Sequence, residues 1–230
     1  MPRARALLAL FALLATGLAG CNKDETPPSD LPAGATLIAE SGAAMANVKT
    51  AHVRIEVEGD ISTLPMRRAE GDLINTGEAK GTVQLKQGEA LIEYEFVVAG
   101  QSIYLKGGTG GWQTLPAAMA RTIYDPSAIL DSQRGIPKLI ATAAEPKTEA
   151  KEQVDGKDTY RVAVKLDSAL VGSLVPGVGE GVTGKLWLDS QTKHLVKAVL
   201  SVPGTSGNAP GTITVNVSAI DAPVTVSAPV

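Results

Sequence analysis

The chain is poor in the groups on which catalysis and ring recognition are ordinarily built. Only 3% of its 230 residues are aromatic, so it offers few platforms on which a base or a sugar ring stacks. It has one cysteine and two histidines, too few for an intramolecular disulfide or a four-ligand structural zinc site. No sign of charge dominates: 21 basic residues stand against 24 acidic ones, for a net charge of −3. That excludes a disordered polyelectrolyte and leaves no basic field to hold a phosphate backbone, so nucleic acid is not an expected partner. What remains is 44% hydrophobic content made almost entirely of Ala, Val, Leu and Ile, enough for one folded domain.

The lone cysteine falls at a telling place. Arg3 and Arg5 precede an apolar run around Leu7 to Leu14, which closes on Leu18-Ala19-Gly20-Cys21. The run is shorter than the ~20 residues a helix needs to cross the hydrocarbon, and it ends in small residues, so residues 1–20 read as an export signal. The Leu-Ala-Gly-Cys ending resembles the bacterial lipobox. By that resemblance Cys21 is lipidated, becomes the first residue after cleavage, and tethers the protein to the outer face of the cell membrane. Two or three acyl chains at ~0.8 kcal/mol per buried methylene make such an anchor effectively permanent. Loss of the leader takes two of the 21 basic residues and none of the 24 acidic ones, moving the charge from −3 to −5. A mildly acidic surface has no electrostatic pull toward anionic headgroups, which leaves membrane attachment to the anchor.

Residues 21–32 then form the lipidated end and a polar, proline-bearing tether, and 33–230 one domain. From Ala33 to Lys49 the anchors Leu37, Ile38, Met45 and Val48 follow helical spacing with Ser41, Gly42 and Ala44 between them. The period then changes to two. Val53, Ile55 and Val57, then Val83 and Leu85, then Ile92, Tyr94, Phe96 and Val98 alternate with polar residues, as half-buried antiparallel strands do. Another strand spans Ser102 to Lys106, and two short helices are expected between Pro116 and Glu145 around Ile129, Leu130, Ile136, Leu139 and Ile140. Strands resume at Thr148 to Val154 and Tyr160 to Leu166. Ser168 to Val175, with Leu170 and Leu174, is a brief helix, and three strands follow within 184–220. About nine strands and four helices make an α+β domain in which Ala-, Gly- and Ser-rich helices face an aliphatic sheet, an opposition of small and large that leaves room between the layers.

No catalytic centre is nominated, no metal or cofactor is expected, and the protein reads as not an enzyme. Gly179-Glu180-Gly181-Val182-Thr183-Gly184 fits G-x-G-x-x-G, but here a helix precedes and a strand follows, the reverse of the order that aims a helix N-terminus at a pyrophosphate. His52 and His194 stand at strand starts without a histidine or cysteine at ligand spacing, and Glu56/Glu58 and Glu93/Glu95 fall on an outer, solvated face.

Ala51-His52-Val53-Arg54-Ile55, Leu64-Pro65, Gly71-Asp72-Leu73, Gly81-Thr82-Val83-Gln84-Leu85, Phe96-Val97-Val98, Ile103-Tyr104, Gly111-Trp112 and Tyr124-Asp125-Pro126-Ser127 through Leu130 resemble the LppX/LprG family of actinobacterial lipoproteins, most of all its LprG type. The resemblance implies a strongly curved antiparallel half-barrel sheet, similar to LolA/LolB carriers, with helices on its concave face enclosing an apolar cavity. It implies a cargo of acylated lipid or glycolipid, of the triacylated phosphatidylinositol mannoside, lipoarabinomannan or triacylglycerol type, and a major facilitator export permease as partner; the protein is expected to be a monomer. The cavity positions it implies are Val53, Ile55, Val57, Leu73, Val83, Leu85, Ile92, Tyr94, Phe96, Val98, Ile129, Leu139, Leu170 and Leu174, with Val83 at the mouth. Elementary energetics agree with such a cargo: a sixteen-carbon chain costs on the order of 12 kcal/mol to hold in water, so a carrier must hide nearly all of it. A docking or scaffold lipoprotein of the same fold with its cavity closed is the alternative.

Overall fold

The computed structural model describes residues 31–229 apart from 60, 62–63, 117, 119–127, 176–177, 179–180 and 205–209. The leader, Cys21, most of the tether and the Tyr124-Asp125-Pro126-Ser127 element lie outside these residues. Helix α1 (Gly34–Ala46) leads into β1 (Thr50–Glu58), β2 (Met66–Ile74), β3 (Ala79–Gln87), β4 (Ala90–Ala99), β5 (Ser102–Gly107) and β6 (Gln113–Pro116). Helix α2 (Ile136–Ala141) comes next, then β7 (Ala144–Val154), β8 (Lys157–Lys165), α3 (Ser168–Leu174), β9 (Thr183–Asp189), β10 (Leu195–Val202) and β11 (Gly211–Ser218). Among the described residues, all eleven strands share one antiparallel sheet in the order β6-β5-β4-β3-β2-β1-β11-β10-β9-β8-β7. Two meanders are thus joined where the first strand pairs with the last. A twisted sheet of more than about ten strands does not stay open and flat, and this one curls into a half-barrel.

Alternation along each strand becomes segregation across the sheet. Tyr94, Val83, Ala69, Ile55, Val215, Ala198, Leu186 and Val162 are successive cross-strand partners on the concave face. One residue along, the row Glu95, Thr82, Glu70, Arg54, Asn216, Lys197, Trp187 and Arg161 runs over the convex face. A slip of one residue anywhere would exchange the two rows, so burial of one face fixes the register. Coverage of the concave face is uneven. Val162, Leu186, Ala198, Ile213, Val217 and Val53 are fully buried, whereas Val83, Leu85, Phe96 and Leu105 on β3 to β5 are only partly so.

Two strands exceed the expected nine. β2 hides its period because a register shift falls between Met66 and Arg68, and because its inward positions include Ala69 and Gly71 rather than large aliphatics. β6 is a four-residue edge strand, too short to show a period. The small residues of α1 also act differently from expectation: they bring backbones together. A Cβ on Gly42 would lie 2.9 Å from the Cβ of Ala141 in α2, and one on Gly34 would lie 2.6 Å from the Pro146 carbonyl oxygen of β7. On the sheet side, Met45 Sδ accepts a hydrogen bond from the Leu195 amide at 3.4 Å, beside the register shift between Leu195 and Lys197. Helix α1 is thereby seated, and the free space lies elsewhere.

Candidate functional site

That space is an apolar pocket of about 60 Å³ between the sheet and the shorter helices. The sheet contributes Ile55, Met66, Leu200, Ile213 and Val215, and the β1–β2 connection contributes Leu64. Ile129, Ile136 and Leu139 close it from the α2 side, and Val171, Leu174 and Val175 from the α3 side. Every lining side chain is aliphatic or methionine. Such a wall has no donor or acceptor with which to orient a polar substrate, but it matches hydrocarbon along its whole length.

Of the positions implied by resemblance, Ile55, Ile129, Leu139 and Leu174 meet at this pocket. Val53, Val57, Leu73 and Val98 are in the packed core on the same concave face. Val83, Leu85, Phe96 and Leu170 are partly buried against that core, and Ile92 and Tyr94 are half-buried further along β4. Sequence reasoning passed over Leu64, Met66, Ile136, Val171, Val175, Leu200, Ile213 and Val215. For Leu200, Ile213 and Val215 the signal is present as alternation in the last two strands; for Met66 the register shift removes it, and Leu64 stands before β2, outside any strand. Neither the 107–111 turn nor the described residues after α3 that follow Val175 line the pocket. Gly184, the last glycine of the G-x-G-x-x-G string, stands within β9 with Leu166, Leu200 and Val164 side chains 3.3–3.4 Å from where its Cβ would be, as a packing glycine does.

The convex face carries the charge. His52 on β1 has Nδ1 2.8 Å from Asp72 Oδ1 and Nε2 3.2 Å from Glu70 Oε1. Arg54 donates to both Glu70 oxygens at 3.0 and 2.9 Å, and Arg68 donates to Glu70 at 2.7 Å. With a carboxylate at each ring nitrogen, the protonated form of the imidazole is favoured. The Asp72 hydrogen bond first, then that of Glu70, outweigh burial and raise the His52 pKa above 6.5. The two arginines hold Glu70 down at about 2. The signs set a window. Stabilisation from His52 is complete below its unfolded value of 6.5 and is lost as pH rises through the higher folded value. That from Glu70 is present above 4.5 and is lost as pH falls through about 2. Titration of the His52 ring protons by NMR is expected to give a midpoint above 6.5, moving down toward 6.5 in Asp72→Asn; a midpoint unmoved by that change would mean that the carboxylate does not hold the ring. Among the described residues no group of three His, Cys, Asp or Glu side chains is placed to hold a metal ion.

Comparison with known proteins meets this geometry from outside. The lipoarabinomannan carrier protein LprG of Mycolicibacterium hassiacum is 30% identical over 234 aligned residues, which cover 99% of this chain and 98% of that protein. The crystal structure of LprF from Mycobacterium bovis superposes with a TM-score of 0.74 at 25% identity, covering 85% of this chain and 96% of that one. The fold is also that of Mycobacterium tuberculosis lipoprotein LppX, with a TM-score of 0.62 at 21% identity over 84% of this chain and 97% of the other. The family model described as LppX_LprAFG lipoprotein matches residues 33–226, the whole of the half-barrel and its helices, and the chain belongs to that family.

Proposed function

We propose that this protein is a carrier of acylated lipid, holding hydrocarbon between the concave sheet and helices α2 and α3 and moving it through the cell envelope from an anchor at Cys21. The observation that carries this reading is the pocket wall, which draws on the sheet, the β1–β2 connection, the α2 side and α3 and includes no polar side chain. A core packed only for stability has no need to leave such a void, since each unfilled methyl-sized space costs about 1 kcal/mol. The relative named as a lipoarabinomannan carrier supports a glycolipid as the cargo. A monomer handing its load to a major facilitator permease completes the reading.

At about 60 Å³ the pocket is well below the ~300 Å³ at which small-molecule sites begin, and that volume favours the second reading, a scaffold lipoprotein with its cavity closed. Native mass spectrometry of protein produced without residues 1–20 separates the two. A carrier is expected to retain mass adducts that organic extraction removes and that prove to be acylated lipids. Apo mass alone, persisting after incubation with diacylated lipid vesicles, would leave the scaffold.

A further inference from the structure

We propose that α3 is the movable wall of the pocket, and that an acyl chain enters by displacing this helix from the sheet. The inference rests on the carrier reading and deepens it. A hydrocarbon chain does not fit the space present, so one wall must yield, and the walls differ in how they are held.

The sheet side is fixed: Ile55, Leu200, Ile213 and Val215 are on strands paired along both edges. The β1–β2 connection is tied into the sheet, with the Lys86 amide of β3 donating to the Pro65 carbonyl at 2.8 Å. Helix α2 is locked against α1 by the Gly42–Ala141 approach. The turn before it is locked too, since the Ile136 amide donates to the Ile129 carbonyl at 2.9 Å and a Cβ on Gly135 would lie within 2.6 Å of three carbonyl oxygens.

Helix α3 has no such ties. Among the described residues, its hydrogen bonds all stay within its own segment: Leu170 N to Asp167 Oδ1, Val171 N to the Asp167 carbonyl, Val175 N to the Val171 carbonyl and Ser173 Oγ to the Leu170 carbonyl. What holds it to the pocket is apolar contact, and of its aliphatic residues only Val171 is fully buried. The neck of the excursion is closed independently of the helix, because Lys165 pairs with Thr183 across β8 and β9 and the Leu166 amide donates to the Val182 carbonyl at 3.2 Å. The helix can therefore leave without unzipping the sheet. At seven residues it is too short to persist once its packing is gone, so leaving the pocket and unwinding are one event. Helix stability then sets how often the pocket is open.

Two substitutions outside the pocket wall move that stability in opposite directions. Asp167→Ala removes the side chain that caps the helix, shifting opening by about five-fold. Gly172→Ala favours the helix by a similar factor, and its new Cβ would come no closer than 3.4 Å to the Val178 carbonyl oxygen. Uptake and release of a pyrene-labelled diacylglycerol carried in phosphatidylcholine vesicles can be followed by stopped-flow fluorescence, with thermal melting as the check on folding. Asp167→Ala is expected to speed both uptake and release about five-fold, Gly172→Ala to slow both by a similar factor, and equilibrium loading to stay within two-fold of wild type. Rates unmoved in both variants, with loading intact, would make α3 a static wall and overturn the proposal. A change in loading with unchanged uptake rate would make α3 a source of affinity, which overturns it as well. If the wild-type protein takes up no probe at all, the carrier reading fails first and the moving wall falls with it.

Discussion

Gly81→Ala is expected to destabilise the protein by about 3 kcal/mol, an unusually large effect for the addition of one methyl group. Gly81 on β3 and Gly71 on β2 are direct cross-strand partners on the concave face, between Phe96 on one side and Val53 on the other. A Cβ on Gly81 would lie 2.1 Å from the Glu70 carbonyl oxygen, and one on Gly71 2.4 Å from that of Lys80. Both obstacles are backbone groups of a paired strand, so no rotamer relieves them and the strands themselves must separate. Gly88→Ala provides the comparison. Gly88 has a φ of +62° with nothing within 4 Å of its would-be Cβ, and its substitution is expected to cost only the left-handed penalty of about 1–2 kcal/mol. Because one displacement of β3 from β2 clears both collisions, Gly71→Ala with Gly81→Ala should cost less than the sum of the two. Urea unfolding of the four variants measures this; a loss below 1 kcal/mol for Gly81→Ala would mean that the sheet relaxes there without resistance.

The glycine pair links local sequence to function. Residues without Cβ on the concave face let adjacent strands approach closely on the inner side of a curved sheet, and the curvature gives the sheet a concavity to fill. The same pair explains why β2 was illegible in the sequence while its neighbours were plain. Ile92, Tyr94, Phe96 and Val98 announce a strand by contrast with Glu93 and Glu95. Ala69 and Gly71 announce nothing, because what fits the inside of a bend is small rather than greasy. The helical spacing of Leu37, Ile38, Met45 and Val48 was equally plain, yet what its glycines do was not, since a small residue reads the same whether it makes room or uses it. The candidate site divides along similar lines. Ile55 follows from alternation and Leu139 and Leu174 from helical anchors, whereas Ile129, expected in a helix, stands in the turn before α2; which inward residues face free volume and which face one another is decided by the seating of α2 and α3. Val53 and Ile55 have identical sequence credentials, and only Ile55 lines the pocket. The charged cluster around His52 was illegible for a different reason: Asp72 and Glu70 lie on another strand, and only the antiparallel register brings them beside the imidazole.

Val215→Trp is expected to abolish most lipid loading while leaving the protein folded. Val215 is on β11, near the middle of the sheet, where its partners are Ile55 and Ala198, and its half-buried side chain faces the pocket. Tryptophan suits a strand, so the ladder persists, and crowding should cost about 1–3 kcal/mol. The indole occupies space that a chain would otherwise enter. Excluding even two methylenes, at ~0.8 kcal/mol each, lowers affinity by roughly ten-fold or more. Thr214→Trp is the matched control, because the neighbouring residue presents the same ring to the opposite face of the same strand. Native mass spectrometry should show adducts retained in Thr214→Trp and lost in Val215→Trp. Val83→Trp then measures the reach of the site. Val83 is three strands away from Val215 in the same concave row, on the side where the face is only partly buried. Loss of adducts in Val215→Trp alone would confine the chain to the space beneath α2 and α3, whereas loss in both would extend it along the row toward β3. Loading at the wild-type level in Val215→Trp would place the lipid somewhere other than this pocket, and the apolar wall would then be core and nothing more.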